Sequence, residues 1–107
     1  MIKNNVKTKW KNKEVVLNSF LSIPNTFTAE IMSEQGYDAL TIDYQHGMIS
    51  FSDLFTMLQS IRSSGVTPIC RVSGLDHAVI SKVMDAGALG ITVSYTHLRA
   101  HETHLNR

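Results

Sequence analysis

The sequence predicts an α/β fold in which parallel strands are joined by crossover helices. Three observations carry the prediction. Short apolar, β-branched runs recur at residues 15–23, 39–43, 67–72 and 89–93. Between them lie stretches whose apolar residues repeat at helical spacing, and each boundary carries a Gly, a Pro or a capping side chain. Strands separated by helices must run parallel, because only a crossover connection brings the chain back to the same end of the sheet.

Residues 1–14 carry Lys3, Lys7, Lys9, Lys11 and Lys13 around Trp10 and predict a basic leader helix with a solvated face. The run 15–23 stops at Pro24-Asn25, the pattern of a buried strand ended by a turn. Asn25 or Thr26 then caps a helix whose Phe27, Ile31 and Met32 fall on one side, and Gly36 ends it. Residues 39–43 form a short strand that is apolar on both faces, as a strand covered by helices requires, and it ends in an acid, Asp43. Ser50-Phe-Ser-Asp53 is a capping box, and Leu54, Phe55, Leu58 and Ile61 follow at helical spacing. Ser63-Ser-Gly65 breaks that helix, and 67–72 is the third strand. Val79, Ile80 and Val83 mark a further helix ending near Gly87, and 89–93 is the fourth strand.

Composition narrows the classes of function. The 107 residues are 43% hydrophobic and 18% charged, which suits one globular domain at most. Ten basic against nine acidic side chains create no broad field for nucleic acid or an anionic membrane, so neither partner is expected. Cys70 is the single cysteine, inside an apolar run, and fits a reducing, cytoplasmic compartment. No apolar run approaches the roughly 20 residues that span a bilayer. No Gly-x-Gly-x-x-Gly, phosphate-binding loop or paired Cys-x-x-Cys occurs.

In α/β sheets the working residues sit where strands run into the following helices. Three residues at those junctions are informative: Asp43, His46 and Arg71. An Asp three residues before a His can accept from one ring N–H and leave the other nitrogen to move a proton. The same spacing also suits an Asp that caps the loop beside a solvated His. Arg71 ends a strand that otherwise reads as core, so its guanidinium needs an anionic or carbonyl partner, either a ligand or an internal carboxylate. Alternation by itself leaves two architectures open, an open doubly wound sheet and a closed barrel. A receiver-like, non-catalytic α/β module matches the length, but the acidic residues such a site wants after strands one and three are missing.

Several short motifs in order carry a resemblance. Ser22-Ile-Pro, Ala29-Glu-Ile-Met, Gly36-Tyr-Asp-Ala-Leu-Thr-Ile-Asp43-Tyr-Gln-His46-Gly47, Pro68-Ile-Cys-Arg71-Val and Asp85-Ala-Gly-Ala together resemble the HpcH/HpaI aldolases, relatives of the citrate lyase β subunit. The resemblance covers about residues 15–93. It implies the N-terminal part, about four βα units, of a (β/α)8 barrel, and a carbon–carbon lyase that cleaves a 4-hydroxy-2-oxo acid to release pyruvate or a related 2-oxo acid. It further implies His46 as catalytic base, Asp43 as the residue orienting it, Arg71 facing the pyruvyl oxygen, and Gln45 beside them contacting substrate. Asp85 matches an acidic position near a neighbouring subunit's site, so a homo-oligomer is expected of the full-length protein. The family uses a divalent metal (Mg2+, Mn2+ or Co2+) held by a Glu and an Asp on later strands, so no metal ligand is assigned in this chain, and the chain by itself is expected to be inactive.

Residues 94–107 depart from that pattern. They resemble translated sequencing-adapter DNA and are expected to be a non-native tail, which divides the chain into a leader at 1–14, a partial barrel at 15–93 and the tail. His97, His101 and His104 would share one side of a helix, but His101-Glu-Thr-His104 is one residue short of the zinc-binding His-Glu-x-x-His, so no designed metal site is expected there.

Overall fold

The computed structural model describes residues 4–45, 48–94 and 103–104. Helix α1 (Asn5–Lys11) is followed by β1 (Asn18–Leu21), α2 (Thr26–Ser33), β2 (Ala39–Asp43), α3 (Phe51–Ser60), β3 (Thr67–Val72), α4 (His77–Asp85), β4 (Gly90–Ser94) and β5 (Thr103–His104). The strands lie side by side in that order; β1 to β4 are parallel, and β5 joins β4 antiparallel. The predicted α/β class therefore holds, as three strand–helix units and a fourth strand. Among the described residues no helix is long and apolar enough to cross a membrane.

Local chemistry explains the boundaries. Asn25 and Asp76 accept from backbone N–H groups in the first turns of α2 and α4, and Ser50 and Asp53 close the full capping box of α3. A 3-10 turn, Arg62–Ser64, follows α3 and stops at Gly65, whose φ of +88° a side chain would strain.

Alternation divides the sheet into two faces. Leu21, Ile42, Cys70 and Ile91 share one register row, with Leu40 two residues below Ile42. This face meets the helices. Leu40, Ile42, Cys70, Leu54, Met57 and Val83 are all fully buried in its core, each larger aliphatic contributing about 1.5–3 kcal/mol by burial. The opposite face carries the rows Asn18, Ala39, Thr67; Phe20, Thr41, Ile69; and Asp43, Arg71, Thr92. Its lower end is covered by α1: the Val6 N–H donates to Thr67 Oγ1 at 3.3 Å and Asn5 Nδ2 to the Gly65 carbonyl at 2.9 Å. Lys9 pairs with Asp38 at 2.8 Å and ties α1 to the start of β2.

The structure corrects three expectations. The first strand is shorter than residues 15–23: Val15 and Leu17 are exposed, because β1 is an edge strand and its ladder reaches only the partners β2 offers. In α2 the buried positions are Ala29 and Ser33, with Met32 packed at the margin, while Phe27 and Ile31 face outward. In α3 Met57 takes the inward position expected for Phe55, which is 41% exposed. One feature was not expected at all: Thr103–His104 pairs with the edge of β4, supplying partners to N–H and C=O groups otherwise left bare. His104 is thus on a strand rather than a helix, while His97 and His101 lie outside the described residues.

Candidate functional site

Asp43 is the last residue of β2, and Arg71 is its register partner on β3. Neighbouring strands lie about 4.8 Å apart, so two side chains on the same face of one row meet directly. Arg71 grips the carboxylate side-on: Nε donates to Oδ1 at 3.3 Å and Nη2 to Oδ2 at 2.5 Å. The Asp43 side chain is 8% exposed and that of Arg71 26%. The internal carboxylate that the sequence left as one possible partner of Arg71 is therefore Asp43.

The same carboxylate shapes the loop. Gln45 N–H donates to Asp43 Oδ1 at 3.1 Å, an Asx-type turn that bends the chain as it leaves β2. The Tyr44 N–H continues the ladder to the Arg71 carbonyl at 3.0 Å. Gln45 is half-buried, and its Nε2 is buried without a hydrogen-bond partner among the described residues. An amide left in that condition costs about 1–3 kcal/mol until something accepts from it. His46, expected as the base, lies outside the described residues.

A third strand contributes a group the sequence reading passed over. Phe20, on β1, places its ring with its centroid 5.0 Å from Arg71 Cζ. Below it Thr41 Oγ1 donates to Asn18 Oδ1 at 2.9 Å, joining β1 to β2 on this face. Alternation says which β1 residues share a face with one another; only the register between strands, which sequence does not carry, puts Phe20 on the face of Asp43 and Arg71.

Cys70 precedes Arg71 but points to the helix side. Burial, with a smaller contribution from the charge of Asp43, pushes its thiol up to about 12, so it is no nucleophile near neutrality. Asp85 is the exposed last residue of α4, at the opposite end of the sheet from Asp43 and Arg71. There it lines a hollow of about 350 Å³ with Arg62 and Gly87. Among the described residues no three His, Cys, Asp or Glu side chains gather as metal ligands, and Asp43 is engaged by Arg71. These residues do not fit the divalent cation that the family resemblance implies.

No family model matches the chain. A hydroxypyruvate/pyruvate aldolase of Rhizorhabdus wittichii is 37% identical over 97 residues, which are 91% of this chain and 39% of that protein. Among solved structures, the citrate synthase SbnG superposes with a TM-score of 0.80 at 31% identity, over 87% of this chain and 38% of that one. An HpcH/HpaI aldolase/citrate lyase family protein from Burkholderia cenocepacia superposes with a TM-score of 0.74 at 26% identity, over 83% of this chain and 36% of its own. The chain spans about a third to two fifths of the length of the curated relatives it matches. Those relatives are named as aldolases, and the structural neighbours are TIM-barrel enzymes of which this chain matches about a third.

Proposed function

We propose that this chain, a relative of the HpcH/HpaI aldolases, supplies the acid–base and guanidinium side of a carbon–carbon lyase site that cleaves a 4-hydroxy-2-oxo acid to pyruvate or a related 2-oxo acid. One observation carries the reading: at the carboxyl edge of a parallel sheet a guanidinium is fixed by a carboxylate along one edge, with the buried amide of Gln45, which has no partner among the described residues, close by in sequence. Edges of this kind are where α/β enzymes bind their ligands.

The chemistry follows from the charges. Breaking the C3–C4 bond requires removal of the C4 hydroxyl proton; the bonding pair then passes to C3 and the adjacent carbonyl, leaving an enolate and an aldehyde. His46 takes that proton. A carboxylate has acceptor sites enough to serve the Gln45 N–H, Arg71 and an imidazole N–H together, so Asp43 orients the base as well as the arginine. Arg71 offers its remaining N–H groups to the oxygen on which negative charge grows, and Gln45 Nε2 donates to a carboxylate oxygen of the substrate. The proton held by His46 then passes to C3, giving the 2-oxo acid and restoring the base. Asp85, facing away from this edge, serves a neighbouring subunit of an oligomer rather than its own site.

The test is a chimera in which residues 4–94 replace the matching segment of the Rhizorhabdus wittichii relative. Pyruvate release from 4-hydroxy-2-oxo acids, followed by a coupled NADH assay with and without Mn2+, should fall about 10²–10⁴-fold on His46→Ala, the usual contribution of a positioned general base. A chimera that is folded and active yet indifferent to His46→Ala and to Arg71→Lys rejects the reading.

A further inference from the structure

Three consecutive parallel strands each send one group to the same place: β1 the ring of Phe20, β2 the carboxylate of Asp43 and β3 the guanidinium of Arg71. We propose that Phe20 is a positioning residue for Arg71, its ring steadying the guanidinium plane while Asp43 holds one edge, so that the opposite edge is presented to a planar oxyanion. The inference rests on the reading above, in which Arg71 meets the substrate.

A guanidinium has five N–H donors in one plane. The Nε and Nη2 pair is committed to Asp43, and Nη1 makes no hydrogen bond among the described residues. Side-on pairing restrains the head within its own plane but resists tilting weakly, since both bonds lie in that plane and share one carboxylate. A ring within about 6 Å adds the missing restraint, because the negative face of the aromatic attracts the cation. It also keeps water off the guanidinium on that side and strengthens the charge at the remaining edge. Phe20 is 48% exposed, so filling a core is a poor account of it. An aliphatic residue could cover the same area but has no quadrupole to hold a cation.

The consequence is readable without turnover. In the full chain labelled with ¹⁵N-arginine, the Arg71 Nε–Hε resonance, assigned by its loss in Arg71→Lys, reports both ring-current shift and hydrogen exchange. Oxalate, a planar dianion resembling a pyruvate enolate, serves as the ligand probe. Phe20→Leu should accelerate Hε exchange and weaken oxalate binding by about 5-fold, the scale of one partly exposed cation–π contact. Phe20→Trp, with the stronger aromatic face, should match or exceed the wild type in both and rescues the test if the leucine variant folds poorly. A folded Phe20→Leu with unchanged exchange and unchanged oxalate affinity overturns the proposal, as does a tryptophan variant that behaves like the leucine one. If the wild type fails to bind oxalate while Phe20→Leu still accelerates exchange, the positioning role stands and the lyase reading falls.

Discussion

Replacing Asp43 with Asn isolates the electrostatic centre of the site. The change keeps shape and leaves an oxygen to accept from the Gln45 N–H, but removes the charge and can turn an NH2 group toward Arg71 Nη2. Breaking a buried ion pair costs about 3–5 kcal/mol, mostly because one charge is stranded. Arg71 keeps 26% of its side-chain surface in water, so the stranded guanidinium is partly hydrated and the expected loss drops to roughly 2 kcal/mol. In a domain of this size that corresponds to a fall of roughly 10 °C in Tm. Urea denaturation followed by circular dichroism measures it. Arg71→Met and the double variant complete the cycle, and the double variant should be no less stable than Asp43→Asn alone, because the stranded charge is gone. A loss below about 0.5 kcal/mol, or strict additivity of the two single changes, would refute the reasoning, since it would mean that the pair is solvated and uncoupled.

Three further outcomes are expected. Ser50→Ala removes the acceptor for the Asp53 N–H and should cost about 1 kcal/mol with an unchanged urea m-value; no change in midpoint contradicts the cap. Asp38 is held below the usual carboxylate range first by the Leu17 N–H and then by Lys9. A depressed folded pKa stabilises above the unfolded value and is lost as pH falls through the folded one. The urea midpoints of wild type and Asp38→Asn should therefore differ near neutrality and converge in acid, and a gap that persists at about pH 2 rules the linkage out. Cys70, fully buried with its thiol near 12, should resist a disulfide reagent until urea opens the chain; stoichiometric labelling of the folded protein would show the core to be looser than described.

Much of the fold was legible because its cues are local. The Ser50–Asp53 capping box and the 67–72 strand were readable from adjacent residues and appear where expected. The two helix errors share one cause. Phe27 and Phe55 fit an apolar helical spacing, but which side of a helix is buried depends on neighbours far away in sequence. The Asp43–Arg71 meeting was half legible. Each residue stood out alone, as an acid and a cation ending apolar strands, but their contact depends on β2 and β3 being adjacent and in the observed register. Phe20 was invisible for the same reason, since its partner is two strands away. The resemblance to the aldolases supplied the long-range information that local pattern lacks.

The placement of α1 has a consequence for traffic. With Val6 bonded to Thr67, Asn5 to Gly65 and Lys9 to Asp38, the helix works as a stopper across the foot of the sheet. Anything small that approached the guanidinium from below would have to pass this helix. Cutting away the first dozen residues would strip Gly65, Thr67 and Asp38 of these partners and open the foot of that face to water.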